Sequence, residues 1–241
     1  MLLDLHQLSD AALGGFLDLV SDQVANRDDC LCSLLFAAPN EPQAFAEHLA
    51  RRSVLDVPNA STPKQFRYFD PGTMLQLPRL LGAAGMAWLL GPSDSVVVPW
   101  AGNWTELSAS ENAPSAFRLK GTHLEALSRL GVVNRVAMGL SRPDNALDWE
   151  RTCAAIDLHV QRAMTQHHLR QQADLVAFAG HAMVHHPAFD QHPRIRNLLE
   201  TLSSATPDEE LDYRELSSHL STDDWQQIRK DLLPPPPSAQ T

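Results

Sequence analysis

At 241 residues, 44% of them hydrophobic, the chain is long enough to bury a core as one large domain or two small ones. Its 19 Lys plus Arg stand against 29 Asp plus Glu, a net charge of −10, which disfavours a nucleic-acid partner and favours basic protein segments. No stretch is apolar enough for long enough to span a bilayer, and Met1, Leu2, Leu3 and Asp4 lack the basic start of a signal peptide, so a cytoplasmic protein without membrane insertion is expected.

In chain order, helical spacing predicts helices over 8–20 and 42–52. Between them, 30–36 reads as a strand, with Cys30 and Cys32 on one face and Leu31 and Leu35 on the other. Apolar character on both faces predicts a strand in the middle of a covered sheet. With Cys153 the cysteines number three, and they lack the spacing of a redox pair or the second half of a zinc ribbon, so they read as buried reduced thiols. Residues 65–69, rich in aromatics, read as a strand that Asp70 and Pro71 stop, because proline has no ladder donor and Asp turns the chain readily. From Met74 the residues Leu75, Leu77, Leu80, Leu81, Met86, Leu89 and Leu90 recur at helical intervals, with Pro78, Gly82 and Gly85 breaking the run into two short helices and Gly91-Pro92 closing it. A strand over 95–100 follows.

The texture changes near Leu119, after which the pattern is helical. Helices are predicted over 123–130, 145–171, 174–186 and 193–202, the long one marked by Trp149, Cys153, Ile156, Val160, Ala163 or Met164 and His167 at steps of three and four. Thr206, Pro207, Asp208 and Glu209 have the form of a helix start, as do Ser221, Thr222, Asp223 and Asp224. The fold expected is α+β: an N-terminal mixed α/β lobe over 1–120, a helical lobe over 121–233 and a disordered proline-rich tail over 234–241.

Residues able to carry chemistry are scattered. His181 and His185 stand four apart on a predicted helix, with His186, His167, His168 and His192 near in sequence, so a metal site is geometrically conceivable. The zincin pattern needs a Glu directly after its first His, and Ala182 stands there; these histidines read as solvated or capping residues, and no metal or cofactor is expected. There is no Gly-x-Ser-x-Gly elbow, phosphate-cradling glycine loop or dinucleotide fingerprint, so no catalytic residue is assigned and no enzyme expected. Asp70 reads as accepting backbone N–H groups or pairing with Arg67 or Arg79.

The segment Phe66, Arg67, Tyr68, Phe69, Asp70, Pro71, with Leu77-Pro78, Gly91-Pro92 and the strand that ends at Trp100, resembles the adaptor chaperones of bacterial type VI secretion, the Tap or TEC family. The resemblance covers 28–110 and, more loosely, 121–200, where Phe189-Asp190 and His192-Pro193 match its helical part; residues 1–27 match the family's opening poorly. It implies an adaptor that binds a cognate secreted effector, a toxin, in the cytoplasm and helps load it onto the spike protein. Candidate effector contacts are Trp149, Phe178, Met183, Phe189 and Trp225, each of which also suits a core position. The alternatives are a His-dependent metallohydrolase and a stand-alone immunity protein that binds a toxin only to block it.

Overall fold

The structure is a computed structural model that describes residues 3–26, 32–37, 41–56, 62–93, 95–109, 117–141, 143–204 and 211–233. The chain is α+β, with a small antiparallel sheet in its N-terminal part and helices in the rest. It divides into two compact units, one made of Met1–Leu130 and Ser141–Arg151, the other of Gly131–Leu140 and Thr152–Thr241.

The first unit opens with α1 (Asp10–Asn26), which runs later than the 8–20 expected. Next come β1 (Leu35–Ala37) and α2 (Pro42–Arg52), the latter as expected. Cys30 and Leu31 of the expected strand lie outside the described residues. A short pair follows, β2 (Val54–Leu55) with β3 (Lys64–Gln65). The helices α3 (Pro71–Met74) and α4 (Leu77–Leu90) come next, then β4 (Ser95–Trp100) and β5 (Asn103–Ser108). Gly82, at φ 66°, breaks the α4 segment, which agrees with the two short helices expected there.

The three-stranded sheet has the order β1-β4-β5, all antiparallel. The position expected for the cysteine-bearing strand is therefore corrected: among the described residues β1 is an edge and β4 the centre. Val96 and Val98 of β4 are fully buried, whereas β1 is at most half-buried. Ala101 (φ 49°) and Gly102 (φ 86°) form the two-residue turn between β4 and β5, both left-handed as the matching hairpin turn requires. That turn makes Trp100 and Asn103 a hydrogen-bonded pair, so Pro99 points its missing donor toward the β1 side. The pairing of β1 ends at Leu35 opposite Val97, short of Pro99, and proline is tolerated in the central strand.

After β5 every described element is a helix. The long α5 (Gly121–Gly139) and α6 (Ala146–Gln166) each contribute to both units. The second unit adds α7 (Gln172–Val184), α8 (Pro193–Ser204), α9 (Tyr213–Ser218) and α10 (Thr222–Leu232). On α6 the expected stripe is inward, with Cys153, Ile156, Val160 and Ala163 all fully buried. Ser221 caps α10 in a reciprocal box: its Oγ accepts from Asp224 N–H at 3.2 Å, and its own N–H donates to Asp224 Oδ2 at 2.9 Å. Asp212 caps α9 by accepting from Glu215 N–H at 2.6 Å. The expected helix start at 206–209 and the proline tail lie outside the described residues. Among the described residues no helix is long and apolar enough to cross a membrane.

Candidate functional site

The motif residues of the first unit are drawn into one packed piece. Phe66 and Tyr68 are buried, and Tyr68 donates its hydroxyl proton to Leu49 O on α2 at 3.0 Å. Burial pushes the Tyr68 phenol up to about 12, so it remains a donor. The strand expected over 65–69 is corrected. Phe66 N–H donates to Ser53 O at 2.7 Å, and then Asp70 N–H donates to Arg67 O at 3.1 Å, so 67–70 is a turn. The turn lets Asp70 cap α3, its Oδ1 accepting from Thr73 N–H at 3.1 Å with Pro71 in the first helical turn. This is the backbone-accepting role expected of Asp70. Phe69 is 38% exposed, and the Arg67 guanidinium lies 5.8 Å from its ring centre.

Two helix ends are tied together beside the motif. His48 Nε2, 2.9 Å from Leu89 O, donates to it, and Arg52 Nε donates to Trp88 O at 3.0 Å while its guanidinium covers the Trp88 ring at 4.3 Å. His48 and Arg52 sit four apart on α2, so one face of α2 supplies donors to the orphan carbonyls at the end of α4. Burial, with Arg52 and Arg51 nearby, holds the His48 imidazole below its ordinary value despite the Leu89 carbonyl.

Trp149, expected as an effector contact, belongs to the same assembly and is corrected to a core residue. Only 1% exposed, it lies 4.4 Å from Trp100 between ring centres and donates its indole N–H to Gly72 O at 2.9 Å. Gln76, fully buried, donates to that same carbonyl at 2.7 Å. One backbone oxygen two residues past Asp70 thus accepts from a side chain 77 positions away and from another four away. Gln76 drew no attention in the sequence, since a glutamine between leucines carries no periodic signal.

The second unit gathers its histidines around aromatic rings. Phe178 and Phe189 are fully buried with ring centres 4.9 Å apart, and Trp225 is 7% exposed. As effector contacts all three are corrected: they are core side chains, because the helical faces that carry them turn inward. Met183, the fifth candidate, is half-buried. His181 Nδ1 lies 2.9 Å from the hydroxyl of buried Tyr213, and its ring is 4.4 Å from Trp225. His185 stacks on the same Trp225 side chain, with ring centres 4.2 Å apart and planes 5° from parallel. Burial, and then the neighbouring His185, pushes His181 down to about 4, so the imidazole is neutral.

A charged group adjoins these rings within the same unit. Asp190 accepts from His167 Nε2 at 2.9 Å and pairs with Arg162 at 3.1 Å. Burial works against its charge, but the His167 hydrogen bond and the Arg162 guanidinium together hold its carboxyl below the ordinary range. Asp190 therefore anchors a turn rather than caps a helix. Asp174 lies inside the first turn of α7, buried, and accepts from Arg214 N–H at 3.0 Å, which ties α9 to α7. Arg229 of α10 donates to His185 O at 3.0 Å and to Val184 O at 2.9 Å, serving the last carbonyls of α7. Among the described residues no three His, Cys, Asp or Glu side chains assemble in an arrangement that could hold a metal ion. Cys153 is buried, and Cys32 is half-buried with its thiol 3.1 Å from Leu34 O.

Each histidine just described has a structural partner. No family model, no curated protein and no solved structure matches the chain.

Proposed function

We propose that the protein is an adaptor chaperone that binds a cognate type VI secretion effector in the cytoplasm and helps load it onto the spike protein. The observation that carries the reading is the segment from Phe66 to Trp100, which resembles the adaptor family in the order of its residues. The packing supports it, because the positions that define the resemblance are the ones on which the first unit depends. Asp70 caps, Pro71 starts α3, Tyr68 ties the turn to α2, Gly91 ends α4 and Trp100 packs on Trp149. A composition of net charge −10 suits a basic protein partner.

The experiment is co-expression of the full chain with the toxin encoded beside it, followed by capture on a tag carried by the toxin. The expected result is a soluble complex, with the toxin less soluble or less abundant when made alone. Failure of the folded full-length chain to bind any neighbouring gene product removes the adaptor reading. Binding that blocks the toxin without any recruitment to the spike protein replaces it with the immunity role.

A further inference from the structure

The helix α10 carries its own cap and seats on the second unit by a narrow stripe. The reciprocal box of Ser221 and Asp224 closes its first turn, and Gln227 Nε2 donates to Asp231 Oδ1 at 2.7 Å, so its local hydrogen bonds need nothing from the rest of the unit. Of its 11 residues only Trp225 and Ile228, three apart, are buried. That is the anchor pattern of an amphipathic helix laid in a groove. Its polar links run along the rim: Asp224 accepts from Arg194, Asp231 accepts from His192 Nε2 at 3.2 Å, and Arg229 donates to the last carbonyls of α7.

The groove beneath it is held by contacts that leave α10 out. The His181 ring, 4.4 Å from Trp225, is fixed by its Nδ1, 2.9 Å from the Tyr213 hydroxyl. Phe189, 6.0 Å from Trp225, rests on Phe178 at 4.9 Å, and Asp190 beside it is fixed by Arg162 and His167. Lifting α10 away breaks none of these ties and uncovers a socket made of His181, His185 and Phe189. We propose that this groove is a helix-docking site which α10 occupies as an intramolecular ligand, and that an amphipathic helix of a partner protein takes its place. The chemistry of the occupant is the one α10 displays: an aromatic anchor stacked on His185, an aliphatic residue three positions later, an acidic residue just before the anchor to meet Arg194, and an arginine four positions after it for the last carbonyls of α7. In the closed chain Trp225 and Phe189 remain core side chains. The inference rests on the adaptor reading only for naming the partner as the effector; the groove is tested without it.

The test uses the full chain and, as probe, a labelled peptide of residues 220–233 followed by fluorescence anisotropy. In the wild-type chain the tethered α10 outcompetes the peptide, so binding is weak. Trp225→Ala/Ile228→Ala loosens the chain's own α10 and is expected to tighten peptide binding by about tenfold or more. Arg194→Ala added to that chain, or Trp225→Ala in the peptide, is expected to reverse the gain. A double variant that is folded by circular dichroism yet binds the peptide no better than wild type overturns the inference. If the double variant does not fold, amide hydrogen exchange of the wild-type chain decides: α10 amides are expected to exchange by local opening ahead of those of α7 and α8, and exchange of α10 only with global unfolding overturns the inference. A dimer seen by light scattering that the double variant dissociates also overturns it, making α10 of a second copy the occupant. In the toxin capture, the peptide in excess is expected to displace the toxin and the double variant to retain more of it. Toxin retention that neither one alters refutes the groove as the effector's seat while sparing the adaptor reading; peptide binding at the groove without any toxin capture sustains the groove and removes the adaptor reading.

Discussion

The imidazole of His48 fills the space that a side chain at position 91 would need: a Cβ built on Gly91 would lie 2.4 Å from His48 Cε1 and Nε2. Gly91 also sits at φ 62°, where L side chains are strained, at the very end of α4. The two conditions arise together because His48 reaches over the last turn of α4 to donate to Leu89 O. Gly91→Ala is therefore expected to destabilise the protein by about 2–4 kcal/mol, the sum of backbone strain and clash. In the His48→Ala background the clash is gone and the cost of Gly91→Ala falls by about 1 kcal/mol or more, a non-additivity read from urea midpoints. Equal costs in both backgrounds would mean that the ring moves aside freely.

The aromatic turn yields a graded expectation. Asp70→Ala removes a cap and costs about 1 kcal/mol. Phe69→Ala, at a side chain 38% exposed, costs about 1 kcal/mol as well, well below the roughly 3–5 kcal/mol of a buried phenylalanine. Phe66→Ala, at a side chain 4% exposed, is the one that reaches that larger range. Thermal melts of the three variants measure the order. A Phe69→Ala loss as large as that of Phe66→Ala would place the Phe69 ring in the core.

The run from Phe66 to Pro71 was legible as a strand and a stop, but only the stop was realised. Aromatic residues favour strands by packing on a half-buried surface, and here Tyr68 obtains that packing from a turn by donating to Leu49 O. The fold class, the bounds of α2 and β4, the kink at Gly82 and the cap at Ser221 were readable because each rests on local chemistry. The strand β5 was missed: its sequence Asn-Trp-Thr-Glu-Leu-Ser alternates weakly, and its place is set by the turn at Ala101-Gly102. Periodicity placed Trp149 on the inward stripe of α6 yet named no partner for it, since contacts 77 residues apart leave no mark in local spacing.

Trp149 and Gly72 offer the sharpest test of that long-range contact. A Cβ on Gly72 would lie 3.0 Å from Trp149 Cζ2, so Gly72→Ala is expected to cost about 1–3 kcal/mol through overpacking. Trp149→Phe removes the indole donor and part of the ring, but Gln76 still satisfies Gly72 O, so its cost stays near 1–2 kcal/mol. Gly72→Ala should be milder in the Trp149→Phe background. Trp149→Ala, which also strips Trp100 of its neighbour, reaches about 3–5 kcal/mol. Calorimetric or denaturant unfolding of the four variants gives the comparison, and strict additivity of Gly72→Ala with Trp149→Phe would disprove the contact.

The buried histidine sets a pH dependence. His181 is pushed down to about 4 by burial and by His185, from the ordinary 6.5 of the unfolded chain. The unfolded state therefore takes up a proton near pH 6.5 that the native state refuses until about pH 4. Stability from neutral His181 is fully present above pH 6.5 and is lost as pH falls toward 4, by at most about 1.4 kcal/mol per pH unit and about 3 kcal/mol in all. His185, lowered by its own burial and by Arg229, acts with the same sign. Asp174 acts with the opposite sign, because burial raises its carboxyl and the native state then holds a proton more readily than the unfolded one. Urea midpoints measured from about pH 7.5 to about pH 4.5 should fall on the acid side, with the fall smaller in His181→Gln, whose amide keeps a partner for the Tyr213 hydroxyl. A wild-type midpoint that stays level across that range, or a His181→Gln variant with the same slope as wild type, would show that His181 is not held neutral by the fold.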